Sequence, residues 1–409
     1  MFNVSKEFAP PFGLIAPFFI SGVAFYLLSF IALLLYAPHF SHLELSVAGW
    51  VHLFMVGYVM MIIFGAMAQL VPVVLETGHF SVDWYYIIFP VLLVGVIGLI
   101  LGFWLDPILL SFGGLLVLTA MVIFAVDVFL TIAKTQLATP TVKAVKLSNI
   151  FLLLGIVSGF AMALSLSGFW SVDIEDVVRA HVWAVMGGYV LMTIYGITLV
   201  LLPMFGLAHG FDEKPIQRAI TTLTLAVNLV YVGALLGWRF VEALGMLAGF
   251  VSVAFYGYQI YLIYKTRVRK ELDIWYRSML FGYASFAMAV LLGALGLLFG
   301  ASQMVYAAMW ALFVFFIFLI NGHLYKIIPF LVWFHRFSDL VGKQRVPMLH
   351  EMYPKKQADY QFWMSAAGAA LVFLGLLFGS DALFKAGGSF MLVGAIFLAT
   401  GVHWMIRYK

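Results

Sequence analysis

The sequence predicts an all-α polytopic membrane protein with twelve transmembrane helices. The chain has 409 residues, of which 65% are hydrophobic and only 10% are charged, whereas soluble domains carry about 25% charged residues. Twelve apolar runs are each long enough to cross a bilayer, and one segment recurs about a third of the chain apart. Because a bilayer admits only helices or closed barrels, runs this long and continuous are predicted to be helices.

The helices fall into three groups of four along the chain. The first group covers about 12–36, 46–74, 84–104 and 108–132. The second covers about 147–170, 178–206, 217–238 and 242–265, and the third about 275–299, 303–333, 360–379 and 384–407. This order predicts a single transmembrane domain over 1–409, with arcs of about 1–133, 134–266 and 267–409.

The second helix of each group carries the recurring segment. GYVMMIIFGAMAQLVP (57–72) and GYVLMTIYGITLVLLP (188–203) share eight of sixteen residues, and VFFIFLINGHLYKIIP (314–329) is a fainter third copy. All three copies keep an isoleucine, a glycine and a proline: Ile63, Gly65, Pro72; Ile194, Gly196, Pro203; Ile320, Gly322, Pro329. Three copies in equivalent helices predict a pseudo-threefold ring, with the copy on the inner helix of each arc. The glycines would let a neighbouring helix or a flat cofactor approach closely.

Charge and cysteine content limit the environment and the classes of site. Eighteen lysines and arginines fall in segments on one side of the membrane, and only Arg179, Arg239 and Lys385 fall on the other. This bias predicts cytoplasmic N- and C-termini. The basic residues follow the topology, so we expect no nucleic acid partner. The chain has no cysteine, which excludes disulfides and thiolate metal ligands.

Ionisable side chains within membrane spans are costly and are therefore the first candidates for a functional site. His52 begins the second span and His181 the sixth, both near the predicted outer face, and both are candidate haem or metal ligands. His323 follows the third repeat glycine and lies about 20 Å deeper than His52 in repeat register. It could instead form a polar network with Lys326. Met309 occupies the position of His52 in the third repeat and is a candidate axial sulfur ligand.

Other residues beside these histidines could line a cofactor site. Trp50, Trp183 and Tyr58 offer stacking and hydrogen bonds to a porphyrin, and Gly57 and Gly188 offer room for its flat ring. His39 and His42 form an HxxH pattern in an outer loop. His79 is expected to meet water at the inner end of its span, and Asp127 to be a capped or snorkelling acid.

The segments WVHLFMVGY…FGAMAQLVP, RAHVWAVMGGY…YGITLVLLP and GHLYKIIPFLVWFHRFSDLVGK resemble short oxidase-subunit-I-like proteins of bacteria. Twelve spans in three arcs, with histidines near the outer ends of the second and sixth, resemble subunit I of the haem-copper oxidase and nitric oxide reductase superfamily. The resemblance covers the whole chain and is architectural. It implies a bacterial inner-membrane protein that binds b-type haem and works with a cytochrome or another respiratory subunit.

Carried over residue by residue, the resemblance makes His52 a ligand of the low-spin haem. His181 lies near the position of a copper ligand, but the Pro-Glu that follows in the family is absent. The seventh span, AITTLTLAVNLVYVGALLGW, lacks the histidine pair expected for copper, and SQMVYAAMWALFV in the tenth lacks the His-x-His expected for both haems. The usual copper ligands are therefore not seen, and complete oxygen reduction is not expected.

Three functions remain open from the sequence. The first is an oxidase-like membrane cytochrome, with one b-type haem near the outer face, that transfers electrons or handles nitric oxide. The second is a transporter or assembly factor for haem or copper. The third, ranked last, is a gas reductase with unusual ligands.

Overall fold

The computed structural model describes residues 8–41 and 44–409. Twelve of its helices are long and apolar enough to cross a membrane. The first four are α1 Phe12–Leu33, α2 Leu45–Leu75, α3 Val82–Trp104 and α4 Ile108–Ile132. The next four are α5 Pro140–Leu166, α6 Ile174–Gly206, α7 Lys214–Leu235 and α8 Arg239–Thr266. The last four are α9 Ile274–Phe299, α10 Ser302–Arg336, α11 Lys355–Phe378 and α12 Asp381–Ile406.

The all-α class and the twelve spans predicted from the sequence are confirmed. Within 8–41 and 44–409, the only strand-like pairing is a single bridge between Ala208 and Arg267. A multi-pass membrane protein follows from the number, length and composition of these helices.

Several helices begin before the apolar runs that predicted them, because polar residues form their first turns. Helix α5 begins at Pro140, where the Thr139 side chain accepts a hydrogen bond from the Val142 N–H. Helix α6 begins after Asp173, whose carboxylate accepts the Asp176 N–H. Such capping oxygens satisfy backbone donors that have no partner within the helix. The helix boundary is therefore set by the cap, and the apolar run starts later.

The described chain forms two compact units, and their boundary falls within α2. The first unit comprises Met67–Lys270 together with residues 8–10. It holds the last part of α2 and all of α3–α8. The second unit comprises Pro11–Ala66 and Glu271–Lys409, and holds α1, the first part of α2 and α9–α12.

Each repeat glycine packs against the first helix of its own group. A Cβ atom built on Gly65 would lie 2.7 Å from Cβ of Phe18 on α1. The corresponding distances are 2.8 Å from Gly196 to Cβ of Ala144 on α5, and 2.8 Å from Gly322 to Cβ of Ser278 on α9. A side chain at any of these three positions would collide with the neighbouring helix. The local packing therefore agrees with the equivalence of the three repeats, and it shows that the repeat glycine is a helix–helix contact.

Candidate functional site

His52 on α2 is held in a single tautomer by its own helix. Its Nδ1 atom lies 2.8 Å from the carbonyl oxygen of Ala48, one turn earlier. A carbonyl oxygen only accepts, so Nδ1 carries the proton and the Nε2 atom carries the ring lone pair. Histidine ligands of metals are commonly oriented in this way, by a hydrogen bond from the other ring nitrogen. In this tautomer Nε2 is the ring atom that carries a lone pair and has the chemistry of a metal ligand.

His181 and His323 have the same arrangement. Nδ1 of His181 lies 2.7 Å from the carbonyl oxygen of Gly155 on α5, and Nδ1 of His323 lies 2.7 Å from that of Leu319 on α10. The His181 ring also lies against Gly159, where a Cβ atom would be only 2.8 Å from Cε1 of the ring. Gly159 was not a candidate from the sequence, and nothing in the local pattern distinguishes it from other membrane glycines.

The candidate ligands are divided between the two units. His52, His323 and Met309 belong to the second unit, whereas His181 belongs to the first. Met309 is half-buried on α10. Across 8–41 and 44–409, no three or more histidine, aspartate or glutamate side chains are grouped in a way that could hold a metal ion. The HxxH pattern of the outer loop includes His42, which lies outside the described residues.

Two stretches of π-helix occur at equivalent positions of the first two repeats. They cover Leu53–Met60 in α2 and Trp183–Leu191 in α6, and the repeat offset of 131 residues superposes 53–60 on 184–191. The π-helix is rare and occurs frequently at functional sites. The first stretch begins directly after His52, and the second begins two residues after His181. No feature of the sequence predicted this widening of the helix.

Gly57 and Gly188 lie in these π-helical stretches, and each accommodates an aromatic ring from the first helix of its group. A Cβ atom on Gly57 would lie 2.8 Å from Cγ of Phe25 on α1. A Cβ atom on Gly188 would lie 2.5 Å from Cβ of Phe151 on α5. The sequence suggested that these glycines give room to a flat ring. In this structure that ring is a phenylalanine of the protein.

Aromatic side chains surround the start of α2 in the second unit. Trp50 stacks on Phe54 with the ring centroids 5.7 Å apart, and each of them lies within 6 Å of Phe313 on α10. The Trp50 indole N–H donates to the Ser29 carbonyl oxygen on α1 at 2.8 Å. These rings are buried where α1, α2 and α10 meet. In the first unit, Trp183 packs against Gly249 on α8.

A buried polar network connects Tyr58 to α10 and α1. The Tyr58 hydroxyl donates to Oδ1 of Asn321 at 2.7 Å, and Nδ2 of Asn321 donates to the Tyr26 hydroxyl at 3.3 Å. The rings of Tyr26 and Tyr58 are 4.5 Å apart. All three side chains are almost completely buried. Sequence reasoning identified Tyr58 but missed Tyr26 and Asn321, since a lone polar residue in an apolar span does not reveal its partner.

The structure corrects the expectations for His79 and Asp127, both in the first unit. His79 was expected to meet water, but its side chain and that of Asp127 are fully buried and paired, with Nδ1 2.7 Å from Oδ2. Oδ1 of Asp127 accepts the Ser81 N–H at 3.1 Å. Nε2 of His79 lies 2.7 Å from the carbonyl oxygen of Ala68 in α2, so the imidazole holds the loop after α2 against α4.

The repeat proline explains why Ala68 needs this partner. Pro72 lies four residues after Ala68 and has no N–H to donate to its carbonyl oxygen. The imidazole N–H of His79 supplies the missing hydrogen bond. A buried carbonyl without a partner is unfavourable, especially where no water is available. The histidine therefore compensates for the proline in the first repeat.

Lys326, one turn from His323, pairs with a carboxylate at the start of α9. Its Nζ atom donates to Oδ2 of Asp273 at 2.6 Å, while the His323 ring packs edge-on against Trp275 at 5.9 Å. Both contacts tie α10 to the start of α9 in the second unit. Next to them, burial and the carboxylate of Asp273 raise the pKa of Tyr353 above its ordinary value.

The fold is that of a haem-copper oxidase. A solved chain from a cryo-EM structure of a haem-copper terminal oxidase dimer matches 97% of this chain and 84% of its own length, with a TM-score of 0.70 and 12% sequence identity. At that identity the likeness shows the fold alone. No protein-family model and no curated protein matches the sequence.

Proposed function

We propose that this chain is an oxidase-like membrane cytochrome that binds one b-type haem through His52. The observation that supports the proposal is the Nδ1–H···O=C bond to Ala48, which sets the tautomer in which Nε2 is the ligating atom. The oxidase fold supports it independently, because the structural neighbour is described as a haem-copper enzyme. The proposed activity is electron transfer or the handling of nitric oxide.

Residues near His52 in the sequence would support such a site by positioning, and they would not bind the haem iron themselves. Ala48 fixes the tautomer and the ring orientation of His52. Trp50 is anchored on Ser29 and stacks on Phe54, which holds the first turns of α2 against α1. A haem bound there supplies one-electron redox chemistry, and the low dielectric constant around it would influence its potential.

Whether a second side chain would hold the haem distinguishes the two proposed activities. His181 and Met309 are the ligands suggested by the sequence, and a position without a protein ligand is the third arrangement. Ligation by two protein side chains suits electron transfer, whereas an exchangeable position would bind nitric oxide. Complete oxygen reduction is not proposed, because α7 and the first half of α10 contain no histidine.

Absorption spectra of the purified protein test the haem proposal directly. Protein from haem-replete cells is compared before and after dithionite, and a pyridine haemochrome assay gives the haem stoichiometry. We expect one b-type haem per chain, and His52→Ala should lower the stoichiometry or shift the reduced Soret band. His403→Ala is the matched control, because His403 is exposed on α12.

The outcomes separate the proposals. A His52→Ala protein with unchanged spectrum and stoichiometry would remove His52 from the site. A wild-type protein that purifies without haem would instead support the transporter or assembly-factor alternative. A shift of the reduced Soret band on adding nitric oxide would indicate an exchangeable position, and the same titration of His181→Ala and Met309→Leu would identify the second ligand.

The proposed location is the bacterial cytoplasmic membrane, with both termini in the cytoplasm. The distribution of lysine and arginine supports this orientation. A cytochrome or another respiratory subunit is the proposed redox partner. Co-purification from solubilised membranes, followed by mass spectrometry, tests the partner.

A further inference from the structure

The first two turns of α7 present a polar face on the outside of a membrane helix. The opposite face is buried against the first unit through Pro215, Ile216, Ala219, Ile220 and Leu223. The outward face consists of exposed polar residues: Lys214, Gln217, Arg218 and Thr221. Polar groups on the lipid-facing side of a span are costly unless they have partners. Because these residues form the first two turns of the span, such a face can bind a polar group of the membrane surface.

The polar face forms one wall of a groove, and α8 contributes the other. The groove has a volume of about 310 Å³. It is lined by Lys214, Gln217, Arg218, Thr221, Thr222 and Phe255. The Arg218 guanidinium lies over the Phe255 ring, 5.7 Å from its centroid. This contact keeps the cation in the groove and leaves its N–H groups available to an anion.

The hydrogen-bonding groups of the groove define the chemistry of its ligand. Lys214 and Arg218 provide positive charge, and no carboxylate is among the lining residues. The hydroxyl protons of Thr221 and Thr222 are donated to the backbone carbonyls of Gln217 and Arg218, at 2.9 and 2.8 Å. The two hydroxyl oxygens can therefore accept hydrogen bonds. The complementary ligand carries an anionic group and at least one hydroxyl donor.

The groove begins at the first residue of α7, so a membrane-spanning α7 would place it near the phospholipid headgroups. Lys214 is the first residue of α7, at the end that the distribution of basic residues predicts to be cytoplasmic. Basic pockets between membrane helices on that side bind anionic headgroups. Asp212 precedes the groove, and its carboxylate is engaged by the Lys214 backbone N–H at 3.0 Å. The aromatic ring of Phe255, deeper along α8, suits the start of an acyl chain.

We propose that the groove between α7 and α8 binds an anionic phospholipid with a hydroxylated headgroup, of the phosphatidylglycerol type. The phosphate would contact Lys214 and Arg218, and the glycerol hydroxyls would donate to Thr221 and Thr222. This site does not depend on haem binding. It gives the protein a specific lipid at the edge of its first unit.

Native mass spectrometry of the delipidated full-length protein in mild detergent tests the proposal. Phosphatidylglycerol and phosphatidylcholine with the same acyl chains are titrated separately. Each basic residue near a membrane surface contributes about fivefold in affinity, so Lys214→Gln with Arg218→Gln should weaken phosphatidylglycerol binding by about 25-fold. Lys143→Gln with Lys146→Gln is the charge-matched control. Both of those lysines are exposed near the start of α5, and the control should change the affinity less than about twofold.

A second variant and a second ligand define the class of molecule. Thr221→Val with Thr222→Val should lower the preference for phosphatidylglycerol over phosphatidic acid, which has no glycerol hydroxyls in its headgroup. Equal binding of phosphatidylcholine and phosphatidylglycerol by the wild type would overturn the proposal, as would unchanged binding by the Lys214/Arg218 variant. If inorganic phosphate displaced phosphatidylglycerol completely, the ligand would be a free anion and the lipid proposal would be wrong. A protein could instead co-purify with the wild type and be lost from the Lys214/Arg218 variant while phosphatidylglycerol binding stays intact. That result would show that the face is a contact with another subunit, and the lipid proposal would be wrong.

Discussion

The hydrogen bond between His79 and Ala68 predicts that the effect of removing His79 depends on Pro72. In the wild type, Nε2–H of His79 donates to the Ala68 carbonyl oxygen at 2.7 Å, and Pro72 has no N–H for that oxygen. In a Pro72→Ala background, the new N–H of residue 72 can donate to the Ala68 carbonyl as in any α-helix. The carbonyl then keeps one partner when His79 is replaced.

The magnitude follows from the two interactions that His79→Ala removes. Loss of the imidazole breaks the buried His79–Asp127 pair, which costs about 3–5 kcal/mol in either background. When residue 72 is proline, the Ala68 carbonyl oxygen also loses its hydrogen bond, which lowers the free energy of unfolding by about 1–3 kcal/mol more. We therefore expect a coupling free energy of about 1–3 kcal/mol between positions 72 and 79, with His79→Ala less destabilising in the Pro72→Ala background.

Unfolding by SDS in mixed micelles, followed by tryptophan fluorescence, measures the four free energies of this cycle. Pro203→Ala is the matched control, because Pro203 is the equivalent proline of the second repeat and has no part in the His79 contact. It should show no coupling with His79→Ala beyond about 0.5 kcal/mol. An equal cost of His79→Ala with proline or alanine at position 72 would refute the assigned role of His79.

The remaining predictions concern packing, the polar network, protonation and topology. Gly188→Ala should lower the free energy of unfolding by about 1–3 kcal/mol, because the new Cβ collides with Phe151. Gly257 has open space around it, so Gly257→Ala should show no loss in the same SDS titration. Tyr58→Phe should cost about 1–3 kcal/mol by leaving buried Asn321 Oδ1 without its donor, and an unchanged unfolding midpoint would contradict this. Burial raises the pKa of Tyr353. The stability contributed by its neutral phenol is therefore present below about pH 10 and is lost as the pH rises through the folded-state pKa. Thermal unfolding at increasing pH should show this decline, and Tyr353→Phe should flatten it. Reporter fusions at both termini should give cytoplasmic signals; periplasmic signals from both would reverse the predicted orientation, and a periplasmic signal from one would contradict the twelve spans.

The sequence by itself determined the fold class, the number of spans and the repeat. These features depend on local composition, since about twenty apolar residues need a helix whatever lies beside them. The repeat glycines were also recognisable from the sequence, because three copies of one pattern identify equivalent positions. The exact ends of helices such as α5 were less predictable, since a capping threonine determines where the helix begins.

Only the tertiary structure decided which polar groups meet. His79 and Asp127 are 48 residues apart, and Tyr58 and Asn321 are 263 apart, so no local pattern connects them. The rotation and register of packed helices choose such partners, and they also place Phe25 against Gly57. The tautomer of His52 required the position of the Ala48 carbonyl relative to the imidazole ring. A sequence records which side chains can bind or donate, whereas helix packing determines which of them come within the roughly 3 Å that a hydrogen bond requires.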